Sequence, residues 1–142
     1  MDIRILKHID EKMMEQVGLL LRKLDPSAPE TTPERWERLL ADDSFILFVA
    51  EEDGKVTGML TLTCCATLSR DKYWIEDVIV DESQRGKGIG RALVKAAVSH
   101  VREKGFKDTI YLTSNPSRVS ARALYRSEGF EGYDTGVFRM KL

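Results

Sequence analysis

The stretch Trp74–Arg91, WIEDVIVDESQRGKGIGR, decides how this chain is read. Its first part is apolar and β-branched and belongs to a strand expected over Lys72–Val80. Its second part, Arg85-Gly86-Lys87-Gly88-Ile89-Gly90-Arg91, places three glycines at alternate positions ahead of an amphipathic helix expected over about Ile89–Lys104. Glycine takes positive φ without a Cβ clash, so the backbone can curl and aim successive N–H groups into one concavity. The helix N-terminus adds partial positive charge there, and Arg85, Lys87 and Arg91 add full charges. Such a turn fits a phosphate or pyrophosphate. A plain tight turn would need one glycine, not three. The P-loop pattern is absent. The third glycine of a dinucleotide fingerprint is missing too, because its place holds Leu93 or Arg91 depending on the starting pair.

Outward from this turn, the chain alternates element types. Asp2–Lys7 reads as a short strand. Met13, Val17, Leu20 and Leu24 recur at helical spacing over residues 10–24, with Asp10 as N-cap and Pro26 beyond the end. Thr32 and Pro33 start a second helix that runs to about Ala41. Phe45–Glu51 and Val56–Leu68 are strands joined at Asp53-Gly54, the strongest hairpin signal in the chain. After the long helix, Gly105 is a C-cap, Thr109–Thr113 a strand, and Ser117–Ser127 a helix stopped by Gly129. The remainder to Leu142 reads as one or two short strands broken at Asp134 and Gly136. The expected fold is α/β (α+β): a single domain over 1–142, with a mixed, mostly antiparallel sheet of about six or seven strands and helices on both faces. The strand–helix–strand unit 72–113 should be parallel with a right-handed crossover.

Composition bounds the function. With 22 Lys+Arg against 23 Asp+Glu, the net charge of −1 gives no reason to expect a nucleic-acid partner. No stretch of 18 uncharged apolar residues exists, and Met1-Asp2-Ile3-Arg4 lacks the apolar core of a secretory signal, so neither a membrane partner nor export is expected. Cys64 and Cys65 are adjacent and match no metal-ligand spacing. They read as free thiols in a reduced cytoplasm. Residues 1–80 carry 10 basic and 16 acidic residues, and residues 81–142 carry 12 and 7, which places the basic half with the anion-binding turn. His100 falls in the apolar arc of the long helix and reads as a hydrogen-bonded histidine of the core or its edge.

Val78-Ile79-Val80 followed by Arg85, Gly88 and Gly90 resembles the acyl-CoA pyrophosphate motif of the GNAT acetyltransferase superfamily. Asn115-Pro116, Ala121, Leu124-Tyr125 and Gly129-Phe130 resemble its second motif, with Asn115 25 positions after Gly90. Trp74-Ile75-Glu76-Asp77 looks like the small-amine members. The resemblance implies a sheet splayed between its fourth and fifth strands, with acetyl-CoA wedged there as acyl donor and no metal required. Carried over, the backbone of Val78, Ile79 and Val80 would meet the pantetheine arm, with Val78 N–H polarising the thioester carbonyl. The amides of Gly86, Lys87, Gly88, Ile89, Gly90 and Arg91 would hold the pyrophosphate beside Arg85. Asn115 would bond the pantetheine, Ser117 and Arg118 would contact the phosphate end, and Tyr125 would protonate the departing thiolate. A homodimer is in keeping with the resemblance.

The chemistry of acetyl transfer asks for the same groups. A protonated amine must lose a proton, a tetrahedral oxyanion needs a donor, and a thiolate leaves more easily beside an acid. Strand parity puts Glu76 on one face with Trp74, Val78 and Val80, where its carboxylate could take the proton directly or through water. Asp77 should point the other way. The reading is thus an N-acetyltransferase acting on a primary amine of a small molecule, or a peptide amino group, by direct attack in a ternary complex. The alternative is a non-catalytic acyl-CoA-binding or sensing domain.

Overall fold

A computed structural model describes residues 1–142. Strands β1 (Asp2–Ile5), β2 (Phe45–Glu52), β3 (Lys55–Ala66), β4 (Asp71–Val80) and β5 (Ile110–Leu112) form one sheet in the order β1-β2-β3-β4-β5. The first four pair antiparallel, and β5 joins β4 in parallel. Helices α1 (Glu11–Leu24) and α2 (Pro33–Ala41) cover one face, and α3 (Ile89–Glu103) and α4 (Val119–Ser127) the other. No helix is long and apolar enough to cross a membrane.

Local sequence explains the ends of the elements. Asp10 accepts the Met13 N–H at 2.8 Å and Thr32 accepts the Arg35 N–H at 3.2 Å, so each caps the helix that follows. The β2–β3 turn has φ of 51° at Asp53 and 75° at Gly54, the type I′ geometry that matches strand twist. Strand alternation then divides the core. Leu47 and Val49 pack under α1 and α2, whereas Phe48, Ala50, Leu60 and Leu62 pack under α3 and α4 with Leu93, Val94 and Ala97.

Two expectations about the sheet are corrected. It has five strands, not six or seven, because residues 128–142 form no strand. That segment is interrupted by Gly129, Gly132, Asp134 and Gly136. The neighbouring edge, β5, has only three residues, so it presents few ladder groups to a further strand. Val137, Phe138 and Met140 stand 79%, 97% and 83% exposed. The second correction is the face of Glu76. On β3 the register advances two residues, from Met59 to Thr61, while on β4 it steps back three, from Ile79 to Glu76. The extra residue is a β-bulge with Asp77 at φ 50°. A one-residue insertion exchanges the faces of everything beyond it. Ile75, Val78 and Val80 therefore pack on the α3/α4 side, and Glu76, paired with Thr61, looks toward the α1/α2 side that buries Ile79.

Candidate active site

Strands β4 and β5 are hydrogen-bonded only from Tyr73↔Ile110 to Ile75↔Leu112. Beyond that point β5 ends, while β4 runs on to Val80 with no partner on that side. The two strands part here, and the cleft between them leads to the glycine turn. This is the splay that the sequence resemblance implied.

The three glycines of the turn do different work. Gly86 and Gly88 have φ of 82° and 80°, and a Cβ on either would meet no atom within 4 Å. Their hydrogens leave a cradle that a side chain would fill. The first helical bond of α3 joins Ala92 N–H to Gly88 C=O at 3.0 Å, and no side chain caps the helix. The N–H groups of Gly88, Ile89, Gly90 and Arg91 thus precede the ladder and suit an anion. Gly90 has another task, since its Cβ would lie 3.1 Å from Leu124 Cδ2 and press α3 away from α4. The flanking cations also divide. Arg85 Nε donates to Val80 C=O at 3.4 Å and Lys87 Nζ to Gln84 at 2.9 Å, both neutral acceptors, and neither cation forms an ion pair. Arg91 instead forms a 2.6 Å ion pair with Glu128. These residues fit the diphosphate of a coenzyme A thioester.

Across the cleft, Asn115 opens the turn into α4. Its side-chain oxygen accepts Ser117 N–H at 2.9 Å and Ser117 Oγ at 2.8 Å, a local turn. Arg118 is the side chain that reaches inward. Its Nη2 donates to the Val78 carbonyl at 3.3 Å. Arg118 therefore stands beside Val78 on β4. Tyr125 is 5% exposed and packs edge-on against Phe130. Burial pushes its hydroxyl above the usual phenol range, and the Arg118 charge and N–H pull it back in part.

Glu76 and Asp77 lie together on the α1/α2 side. The Thr61 hydroxyl donates to Asp77 at 3.2 Å. Surrounding protein, and then the Asp77 charge, raise the Glu76 carboxyl above the ordinary carboxylate range although the side chain reaches solvent. A carboxylate raised in this way is a stronger base. Trp74 stacks on Tyr111 at 5.0 Å, and Tyr133 meets Tyr111 edge-on. Trp36 is buried in the core.

Sequence reasoning missed four of these residues. Thr61 and Tyr111 enter only through cross-strand pairing, and Tyr133 only through its contact with Tyr111. Ser114 has a buried hydroxyl with no partner, just beyond β5 at the cleft; its position between β5 and Asn115 was the one available signal. His100 lies on the far end of α3, edge-on to Phe48 at 5.8 Å. Its Nε2 is buried without a partner, contrary to the hydrogen-bonded reading. Cys64 and Cys65 are free at the end of β3.

One mixed sheet covered by helices on both faces, with a glycine turn leading into α3 and a buried tyrosine on α4, places the chain among the α/β proteins. The model of the Acetyltransferase (GNAT) family matches residues 10–130, and the chain belongs to that family. It is similar to human N-acetyltransferase 8B, 32% identical over 103 residues that make up 71% of this chain and 45% of that protein. It is also similar to the spermine/spermidine N(1)-acetyltransferase of Bacillus subtilis (strain 168), 32% identical over 60 residues, 42% of this chain and 40% of that one. The chain spans less than half the length of these curated relatives. Among solved structures, a putative acetyltransferase from Agrobacterium tumefaciens str. C58 superimposes with a TM-score of 0.83 at 27% identity, over 100% of both chains. An aminoglycoside acetyltransferase from an uncultured soil metagenomic sample, in complex with sisomicin, shares the fold with a TM-score of 0.86 at 24% identity, over 99% of this chain and 95% of that one.

Proposed function

We propose that this chain is an acetyl-CoA-dependent N-acetyltransferase, one domain over 1–142 working in the cytoplasm on a primary amine of a small molecule or a peptide amino group. One observation carries the reading: the parting of β4 from β5 beyond Ile75 and Leu112, leading directly into the glycine turn. Family membership and the acceptors named for relatives, spermine or spermidine and an aminoglycoside, support amine acetylation.

The chain's groups have separable tasks in a ternary complex. The amides from Gly86 to Arg91, with Arg85 and Lys87, hold the diphosphate. The Val78 N–H faces the acyl oxygen, and a donor fixed in advance lowers the barrier where negative charge develops. Glu76, or water beside it, takes the proton from the amine on the α1/α2 side. Tyr125 gives its hydroxyl proton to the leaving sulfur. Acetyl-CoA supplies the activated acyl group.

Calorimetry with acetyl-CoA, followed by mass spectrometry of products from a mixed amine library, tests the proposal. It expects saturable heat and at least one acetylated amine. Tight binding with no product from any amine would favour an acyl-CoA-binding or sensing domain. Absence of heat would sink both readings.

A further inference from the structure

We propose that Arg85 and Arg118 are exchangeable caps on the open edge of β4, and that through them the chain selects coenzyme A thioesters over thioesters of bare pantetheine. Within the chain itself the two side chains hold the Val80 and Val78 carbonyls. An acyl donor displaces them by offering its amide N–H groups to the carbonyls and its phosphates to the guanidiniums. This inference rests on the acetyl-CoA reading above and adds to it a discrimination among donors.

The β4–β5 ladder ends at Ile75↔Leu112, and β4 runs on to Val80. Asp81 N–H donates to Thr57 C=O on the β3 side at 2.8 Å, so strand alternation turns the backbone groups of Val80 and Val78 to the open side. An open edge is a row of polar groups that a strand-like partner can pair with. Here both outward carbonyls already have a donor. Arg118, at the start of α4, donates Nη2 to Val78 C=O at 3.3 Å. Arg85, in the turn before α3, donates Nε to Val80 C=O at 3.4 Å. One arginine thus comes from the segment after each of the two parting strands. Carbonyls two residues apart on a strand stand about 7 Å from each other, so both caps lie along one extended arm.

These caps are weakly held. Both bonds are longer than the common N–H···O distance of about 2.9–3.0 Å. Neither arginine takes part in any of the chain's four ion pairs. A guanidinium prefers an oxyanion that it can grip with paired N–H groups to a single neutral carbonyl. The pantetheine arm carries amides that can take over the carbonyls. A donor with that arm alone breaks both caps and leaves the cations to water, which subtracts the net value of each bond from its binding. A donor with phosphates gives the cations charge-assisted bonds in return. Arg85 already stands in the glycine turn, where the diphosphate is proposed to lie.

Calorimetry on the full chain compares acetyl-CoA with S-acetylpantetheine, which has the same arm and no phosphate. In the double variant Arg85→Ala/Arg118→Ala the acetyl-CoA Kd should rise about 10-fold or more, because charge-assisted bonds are lost. The acetylpantetheine Kd should fall about threefold or more, because no cap remains to be displaced. Each single variant should show part of both shifts. A crystal structure of the unaltered chain with coenzyme A should show both guanidiniums off the β4 carbonyls and on phosphate oxygens, a readout that does not depend on how the variants fold.

Shifts of opposite sign separate this proposal from simpler roles. Arginines that only grip phosphate would leave acetylpantetheine binding unmoved, and arginines that only brace the cleft would weaken both donors. Either result, or a bound structure with the carbonyls still capped, overturns the proposal while leaving the acetyl-CoA reading intact. An absence of heat from acetyl-CoA with the unaltered chain brings down that reading as well.

Discussion

In the proposed reaction Tyr125 and Glu76 stand on opposite sides, and their environments suit opposite proton movements. Tyr125 is buried and kept protonated, so it can give a proton; Glu76 is raised but reaches solvent, so it can take one. Tyr125→Phe is expected to lower kcat about 100-fold with cofactor affinity nearly unchanged, measured by thiol release and calorimetry. The Glu76 carboxyl titrates higher in the folded chain than in the unfolded one, which has two consequences. The acid limb of the kcat profile should lie above the ordinary carboxylate range and vanish in Glu76→Gln. For stability the sign is the reverse of a depressed carboxylate: the penalty for a charged Glu76 is absent below the unfolded pKa and develops as pH rises through the folded one. Glu76→Gln should therefore unfold no earlier than the parent at neutral pH, and a lowered melting temperature there would contradict the cause assigned to the shift. Tyr125 and Glu76 were both legible in the sequence as residues of interest. The orientation of Glu76 was not, because parity counting assumes an unbroken strand and Asp77 breaks it.

At the scale of elements, the glycine turn and the bulge in β4 shape the cleft from its two ends. Gly88→Val should cost about 1–2 kcal/mol, since a side chain at φ 80° is strained even where space is open. It should abolish acetyl-CoA binding by filling the cradle. Gly90→Ala tests the other role. Its Cβ would stand 3.1 Å from a terminal methyl of Leu124, so the expected result is a small stability loss of about 1 kcal/mol with binding retained. Chemical denaturation and calorimetry on the two variants separate cradle from packing. Asp81 anchors the exit from β4. Its N–H donates to Thr57 at 2.8 Å and its carboxylate accepts Ser83 N–H at 3.1 Å. The Ser83 bonds, aided by Lys23, hold that carboxyl below the usual range. Its contribution is present above the unfolded pKa and is lost as pH falls toward the folded one. The turn was legible from spacing alone. The bulge was not, because nothing in YWIEDVIV marks which residue is extra until β3 supplies its register.

For the whole molecule, the sheet separates two jobs. The α3/α4 layer carries the turn, Tyr125 and Arg118, and the α1/α2 side faces Glu76, Asp77 and the Trp74–Tyr111 stack. Leu93, fully buried on the sheet-facing side of α3, holds the first layer to the sheet. Leu93→Ala should destabilise by about 2–5 kcal/mol, and bound acetyl-CoA should recover part of that loss in a thermal melt. Local sequence was enough for the order of nine of the ten elements, most of their caps and turns, the glycine turn and the family, because hydrophobic period, capping oxygens and glycine placement act over a few residues. It overcounted the strands, because a strand exists only through a partner and residues 128–142 find none. Only the tertiary arrangement settled that Arg118 reaches the Val78 carbonyl, that Arg91 pairs with Glu128, and that Glu76 faces the α1/α2 side. Each of those outcomes depends on a register or on a contact between residues far apart in sequence.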